Sequence, residues 1–302
     1  MNNQMVITLR DKRYPQQLKK IKNPSKALYV KGDSEVLSEP CFSIVGTRKA
    51  SGEGLELARQ IACELAKAGL VIVSGLAQGI DGEAHRGALE AGGRTVGVIG
   101  SSLEERFFFP LQHVRLAREM IEKGGVVISE YEKNQPALRR NFVARNRIIA
   151  GLSIGVLVVQ APIKSGALIT AQFSKEQGRL IFAVPGSPFS KHFEGTNHLI
   201  KTGAFLVERA KDILEILQEK KLFLPRMQKG ITANSVRVYE GIDDKGARIL
   251  EALESGQTHI DSLAKKTKVE VAALLGILTE LEMKGIIKST GGGKYILLRS
   301  TN

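Results

Sequence analysis

No run of about 18 apolar residues occurs in the 302-residue chain, and its opening, MNNQMVITLRDKRYPQQ, lacks the hydrophobic stretch of a secretory signal. The sequence therefore predicts neither a membrane span nor export, and places the protein in the cytoplasm. Cysteine is scarce: Cys41 and Cys63 are the two present, with no CxxC spacing. That argues against structural zinc, and both read as small buried hydrophobes in a reducing compartment. The five histidines, at 85, 113, 192, 198 and 259, fall in no HExxH or other metal-ligand spacing. There is no GxSxG elbow, no GKS or GKT ending of a Walker A loop and no GxGxxG. Aspartates at strand ends, which would hold Mg²⁺ for phosphoryl transfer, are lacking too. These absences predict no catalytic constellation, no metal and no cofactor.

Positive charge, by contrast, is plentiful. Lys and Arg number 44 against 31 Asp and Glu, a net charge of +13. Residues 1–230 hold 34 basic and 22 acidic residues, whereas 231–302 hold 10 and 9, so the excess belongs to the large first part. Such a surplus favours polyanionic partners; solubility alone is the plainer explanation of it.

Strand-length apolar runs recur at 41–46, 70–75, 94–100, 125–130, 154–160 and 179–186. Amphipathic helical patterns lie between most of them, as at 52–69 and 110–125. Buried strands alternating with helices predict an α/β fold: an extended Rossmann-like, mostly parallel sheet with helices on both faces. Ligands of such a sheet bind beyond the C-terminal ends of its strands. We expect a lead-in over 1–39 packed on the core as a short helix (YPQQLKKI) and a strand (ALYVKG), a Rossmann-like domain over 40–220, and a linker over 221–243. Over 244–302, three helical patterns followed by a hairpin about the triple glycine 291–293 predict a small winged-helix domain.

Several turns after these strands suit phosphate. In IVGTRKASGEG (44–54) a strand ends at Gly46, Thr47 and Arg48 occupy a tight turn, and a helix opens near Ser51 or Gly52 with free backbone N–H groups. In VSGLAQGIDGEAH, Ser74, Gly75 and Gly79 make a second glycine-rich turn; Asp81 reads as a helix cap and His85 as a packed side chain, with an acid–base pair as the alternative. The stretch 134–147 holds Arg139, Arg140, Arg145 and Arg147 and no acid; Arg145 and Arg147 flank Asn146 and are expected where a helix begins. Such density suits repeated phosphate contacts. Lys164, Ser165 and Gly166 form a third turn leading into a helix, and Lys191, Asn197 and His198 belong to a fourth region rich in glycine. Phe107, Phe108, Phe109 and Phe142 can stack on unpaired bases, although core or interface packing is their commoner use.

The C-terminal domain is a poor candidate for reading duplex DNA. Its third helical pattern, VEVAALLGILTELEMKG, carries Glu270, Glu280 and Glu282 but Lys284 alone as a cation, so contact with protein is the better expectation. For a nucleotide-processing or nucleotide-sensing protein using the same phosphate rim, Glu130 and then Asp81 would be the candidate acids.

Taken in order, IVGTRKAS, VIVSGLAQGIDGEAHRGAL, GGRTVGVIG, GGVVISEY, NFVARNRIIAGLS, SGALITAQFSKEQGR and IFAVPG with EGTNHLIKTGA resemble the DNA-processing protein A (DprA/Smf) family over about 43–204. The lead-in and the closing winged helix resemble that family as well. The resemblance implies a non-catalytic homodimer that binds and protects single-stranded DNA and loads the RecA recombinase in place of the single-strand-binding protein during natural transformation. By matching motifs it puts Arg48, Arg145, Arg147 and Lys164 on the family's DNA-binding pocket, with Gly46, Ser165 and Gly166 shaping it. Two positions depart from the family pattern: Phe109 stands where a tyrosine often precedes the proline, and Gln160 where an acid is common.

Overall fold

The structure is a computed structural model that describes residues 4–224, 244–254, 259–267, 269–284 and 286–297. The chain divides into two compact units, 1–226 and 227–302. From residue 225 on, the expected linker lies outside the described residues.

In the first unit the elements run β1 (Met5–Thr8), α1 (Gln16–Lys19), β2 (Ala27–Gly32), β3 (Cys41–Val45), α2 (Gly52–Lys67), β4 (Val71–Ser74), α3 (Ile80–Glu90), β5 (Thr95–Ile99), α4 (Val114–Glu122), β6 (Val126–Ser129), α5 (Arg139–Leu152), β7 (Gly155–Val158), α6 (Gly166–Glu176), β8 (Leu180–Ala183), α7 (Glu194–Lys201), β9 (Phe205–Leu206) and α8 (Ala210–Glu219). They build one nine-stranded sheet in the order β1-β2-β6-β5-β4-β3-β7-β8-β9. The seven strands from β6 to β9 in that order pair in parallel, while β1 and β2 are antiparallel additions at one edge. The lead-in thus contributes two strands to the sheet itself. Strand β1 is additional to the one strand expected in the lead-in, because MVIT is too short for alternation to show.

Every residue of β3 to β7 is buried, as expected of strands covered on both faces. One layer, including α1, α5 and α6, packs Leu18, Ile148, Ile149, Leu152 and Ala171 against Val45, Val73, Val98 and Val158. The other, including α2, α3 and α8, packs Ile61, Leu65, Ala84 and Ile213 against Phe42, Ile44, Ile72 and Leu157. Helix α2 shows how the sequence sets such an element: Ala58, Ile61, Ala62 and Leu65 recur at helical spacing on its buried face. Ser51 caps it by accepting from the Gly54 N–H at 3.2 Å, and Gly69, at φ +100°, turns the chain out of it.

The lead-in is fastened to α5. Arg147 forms a two-pronged ion pair with Glu130 (2.6 and 2.8 Å) and donates from Nε to the Asn23 carbonyl; the Ser25 hydroxyl donates to Glu130, and the Tyr14 hydroxyl to the Ser25 carbonyl. Both charged side chains are 16% exposed.

The second unit holds α9 (Asp244–Glu254), α10 (Ile260–Thr267), α11 (Val271–Met283) and an antiparallel hairpin of β10 (Ile287–Gly291) and β11 (Lys294–Leu297), around a core of Ile249, Leu250, Leu263, Leu274, Leu278, Leu281 and Ile287. Three helices and a two-stranded wing are the predicted plan. Among the described residues no helix is long and apolar enough to cross a membrane.

Removing one side of the Arg147–Glu130 pair strands the other charge among buried neighbours. Arg147→Met should lower unfolding free energy by about 3 kcal/mol, read from urea denaturation. A change below about 0.5 kcal/mol would make the pair equivalent to a solvated surface bridge.

Candidate nucleic-acid interface

Strand order reverses between β3 and β7: from β3 the chain crosses to β4, from β7 to β8, on opposite sides. The loops after these two strands therefore part, and a crevice opens beyond their C-terminal ends. A cavity of about 880 Å³ occupies it, lined by the turns after β3 and β7 and by the first half of α5.

The turn after β3 is held from below by Gln160. Its backbone carbonyl accepts from the Thr47 N–H at 2.7 Å, its side-chain oxygen accepts from the Ser51 N–H at 3.0 Å, and its amide donates to the Ser51 hydroxyl at 2.8 Å. A carboxylate could accept but not make the last donation, so an amide suits this fully buried position. With the backbone fixed, Arg48 and Lys49 project outward and are exposed. The Arg48 guanidinium lies 5.3 Å from the centre of the Phe142 ring and 6.0 Å from that of Phe109, and the two rings are 5.7 Å apart. Phe109 is 49% exposed, so an aromatic face remains open to the cavity.

On the far side, Ser165 caps α6 by accepting from the Ala167 N–H at 3.3 Å, and exposed Lys164 precedes it. Apart from its chain neighbours and its own helix backbone, no heavy atom among the described residues lies within 4 Å of where a side chain at Gly166 would begin, so the first turn of α6 is open to a ligand. Asn146 donates from α5 to the Gly166 carbonyl at 3.3 Å, joining the two helices.

Helix α5 begins at Arg139, which corrects the expectation that Arg145 and Arg147 mark a helix start: both lie in its middle. Two residues apart, they point about 200° apart around the axis, so they cannot share a site. Arg139, Phe142, Arg145 and Asn146 line the cavity; Arg147 faces the lead-in instead. Arg145 is 4% exposed and donates from Nη1 to the Val98 carbonyl at the end of β5. A Cβ on Gly75 would collide with its guanidinium, which is why the turn after β4 needs glycine.

Asp81 is buried in the same floor. Its carboxylate accepts from the Gly75 N–H at 3.1 Å, and the Ala77 and Gly46 N–H groups also stabilise its charge. Burial pushes its pKa up, against the pull of Arg145. Burial likewise lowers Arg145 to about 10, which leaves it charged at neutral pH.

The expected residues thus divide. Gly46, Thr47, Arg48, Arg139, Arg145, Asn146, Lys164, Ser165 and Gly166 come together around the cavity, whereas Arg140, Arg147 and Lys191 are not in its lining. Lys49 and His192 do line it; each adjoins a residue singled out in the sequence, and that adjacency was the available signal. Asn197 is tied to the Gly186 backbone through both side-chain atoms, a structural use. Among the described residues no group of His, Cys, Asp and Glu could hold a metal ion.

The family model described as DNA recombination-mediator protein A matches residues 5–218, and that of the DprA winged-helix domain matches 237–293. The chain belongs to the DNA recombination-mediator protein A family. It is 38% identical over 286 residues to protein Smf of Escherichia coli, covering 95% of this chain and 75% of that protein. It is 42% identical over 217 residues to DNA processing protein DprA of Bacillus subtilis, covering 72% of each. Two solved family structures superpose on it. DNA processing protein A of Streptococcus pneumoniae does so with TM-score 0.66 and 39% identity, over 71% of this chain and 74% of that one. The Helicobacter pylori protein, described with a single-stranded DNA binding mode, does so with TM-score 0.64 and 31% identity, over 72% and 97%.

His85 is buried against Thr95 of β5 and is not in the cavity lining. Thr95 already donates its hydroxyl to the Ile72 carbonyl, so the His85 Nδ1–H donates to Thr95 at 2.7 Å, and burial lowers the ring's pKa to about 3. Between pH 3 and the ordinary value near 6.5 the unfolded chain binds the extra proton, so stability falls as pH falls through that window. The urea midpoint should decline from pH 6.5 to 5 in the wild type and stay nearly level in His85→Asn; parallel declines would assign the loss to other groups.

Proposed function

We propose that this chain binds single-stranded DNA in the cavity at the ends of β3 and β7, and acts as a recombination mediator that protects an incoming strand and loads the RecA recombinase onto it during natural transformation. The observation that carries the reading is the stack of Arg48 on Phe142 and Phe109, flanked by Lys49, Arg139 and Lys164. A base reaches an aromatic face only when it is unpaired, while cations on either side meet its phosphates; duplex DNA offers the second contact but not the first. Arg48, Arg139, Lys164 and the backbone at Gly46, Thr47, Ser165 and Gly166 are the proposed contacts. Arg140 and Lys191, exposed beyond the lining, would meet the strand where it leaves the cavity. The description of the Helicobacter pylori relative supports the choice of strand.

A nucleotide-processing enzyme needs an acid facing the phosphate rim. The two candidates are otherwise engaged: Glu130 holds Arg147, and Asp81 is buried against backbone N–H groups. Homodimerisation, displacement of the single-strand-binding protein and a cytoplasmic setting follow from the family resemblance and belong to the same proposal. For the winged helix we favour a protein partner, since α11 exposes Val271, Leu275 and Met283 where a DNA reader would show cations.

Fluorescence anisotropy with a labelled oligothymidylate and a duplex of equal length, across a salt series, tests the site. The single strand should bind at least about tenfold more tightly, a difference of about 1.4 kcal/mol that one stacked base can supply. In Arg48→Ala and Lys164→Ala the slope of log K on log salt should fall by about 0.7 for each cation removed. Equal binding of both forms, or unchanged slopes in both variants, would contradict the proposal.

A further inference from the structure

Two guanidinium groups approach one ring. Arg48 lies 5.3 Å and Arg145 6.0 Å from the centre of Phe142, on the cavity side and in the floor respectively, and Arg48 adds to the cost of the buried charge on Arg145. Arg48 can spread its charge into solvent; Arg145, 4% exposed, cannot. Among the described residues its Nε has no hydrogen-bond partner, and its firm contacts are the Val98 carbonyl, the flat face of Gly75 and the Phe142 ring. The strongest opposing charge is Asp81, whose carboxylate gathers N–H groups from the ends of β3 (Gly46) and β4 (Gly75) while Arg145 holds the end of β5.

We propose that Arg145 and Asp81 are a buried positioning pair: Asp81 holds the ends of β3 and β4 and neutralises Arg145, Arg145 holds the end of β5 and the Phe142 ring, and Arg145 itself touches no phosphate. The inference rests on the single-strand reading and deepens it. It assigns the arginine that sequence placed among the phosphate contacts to the floor beneath them. It also gives an acid below an anion-binding cavity a purpose, since without it Arg145 would be an uncompensated charge pressing against Arg48.

The two roles separate experimentally in Asp81→Asn, Arg145→Gln and the double variant of the full chain, each titrated with labelled oligothymidylate at several salt concentrations. Each single variant should bind about tenfold more weakly, the effect of about 1.4 kcal/mol, with the wild-type salt slope. The double variant should lose less than the two singles combined, because no lone charge remains buried. The chain contains no tryptophan, so Phe142→Trp in each background provides a reporter in the ring's own place. Its fluorescence anisotropy without DNA should drop in Arg145→Gln. Urea unfolding shows which variants fold; should Arg145→Gln fail, Arg145→Lys keeps the charge but not the planar fork, and the same loss with unchanged slope is expected.

Tighter binding by Asp81→Asn would show that the acid merely opposes DNA, and overturn the proposal. So would a slope lowered by about 0.7 in Arg145→Gln, the mark of a direct phosphate contact. Variants that bind as the wild type does would sink the pair and leave the single-strand reading intact, whereas a wild type that fails to bind the strand would overturn both.

Discussion

A parallel sheet can be entered by a ligand only where its crossovers part, and in this protein that happens between β3 and β7. The two walls of the cavity follow from the chain leaving those two strands in opposite directions. The turn after β3 brings Arg48 and Lys49, the turn after β7 brings Lys164 and Ser165, and α5, packed below on the same layer as α6, fills the gap with Arg139 and Phe142. Gln160, at the end of β7, reaches across to hold the opposite turn, so the two walls of the crevice are one hydrogen-bonded structure.

Charge is then sorted by depth. Cations able to keep their hydration, Arg48, Lys49, Arg139 and Lys164, are exposed at the walls, where each is worth little alone and meets phosphate at small desolvation cost. Below them lies buried Arg145, whose charge Asp81 is proposed to compensate, and on the other side of α5 Glu130 pairs with Arg147. A single basic helix thus serves three purposes according to the direction each arginine takes: cavity wall, cavity floor and attachment of the lead-in.

Much of this was legible in the sequence because it is local. Six apolar runs with intervening helical patterns describe the sheet, and the polar turns at 46–51 and 163–166 are visible as strand endings followed by helix caps. The 3.6-residue period alone separates Arg145 from Arg147 by about 200°, but which of them turns inward is set by the packing of α5 on the sheet, which no local pattern shows. The edge strands β1 and β9, of four and two residues, are too short for any period to register. Phe109 and Phe142 belong to different segments, and nothing in sequence joins them; only the fold places Arg48 over both.

On the proposed reading a single strand is held in this crevice and leaves it past Arg140 and Lys191, away from the β1–β2 edge of the sheet. Hydrogen–deuterium exchange of the full chain with and without saturating oligothymidylate measures that directly. Slowed exchange is expected at backbone amides of 46–51, the first turn of α5 and 164–167, with the opposite sheet edge at β1 and β2 unchanged. Protection elsewhere on the unit, with these three segments exchanging as in the free protein, would contradict the account.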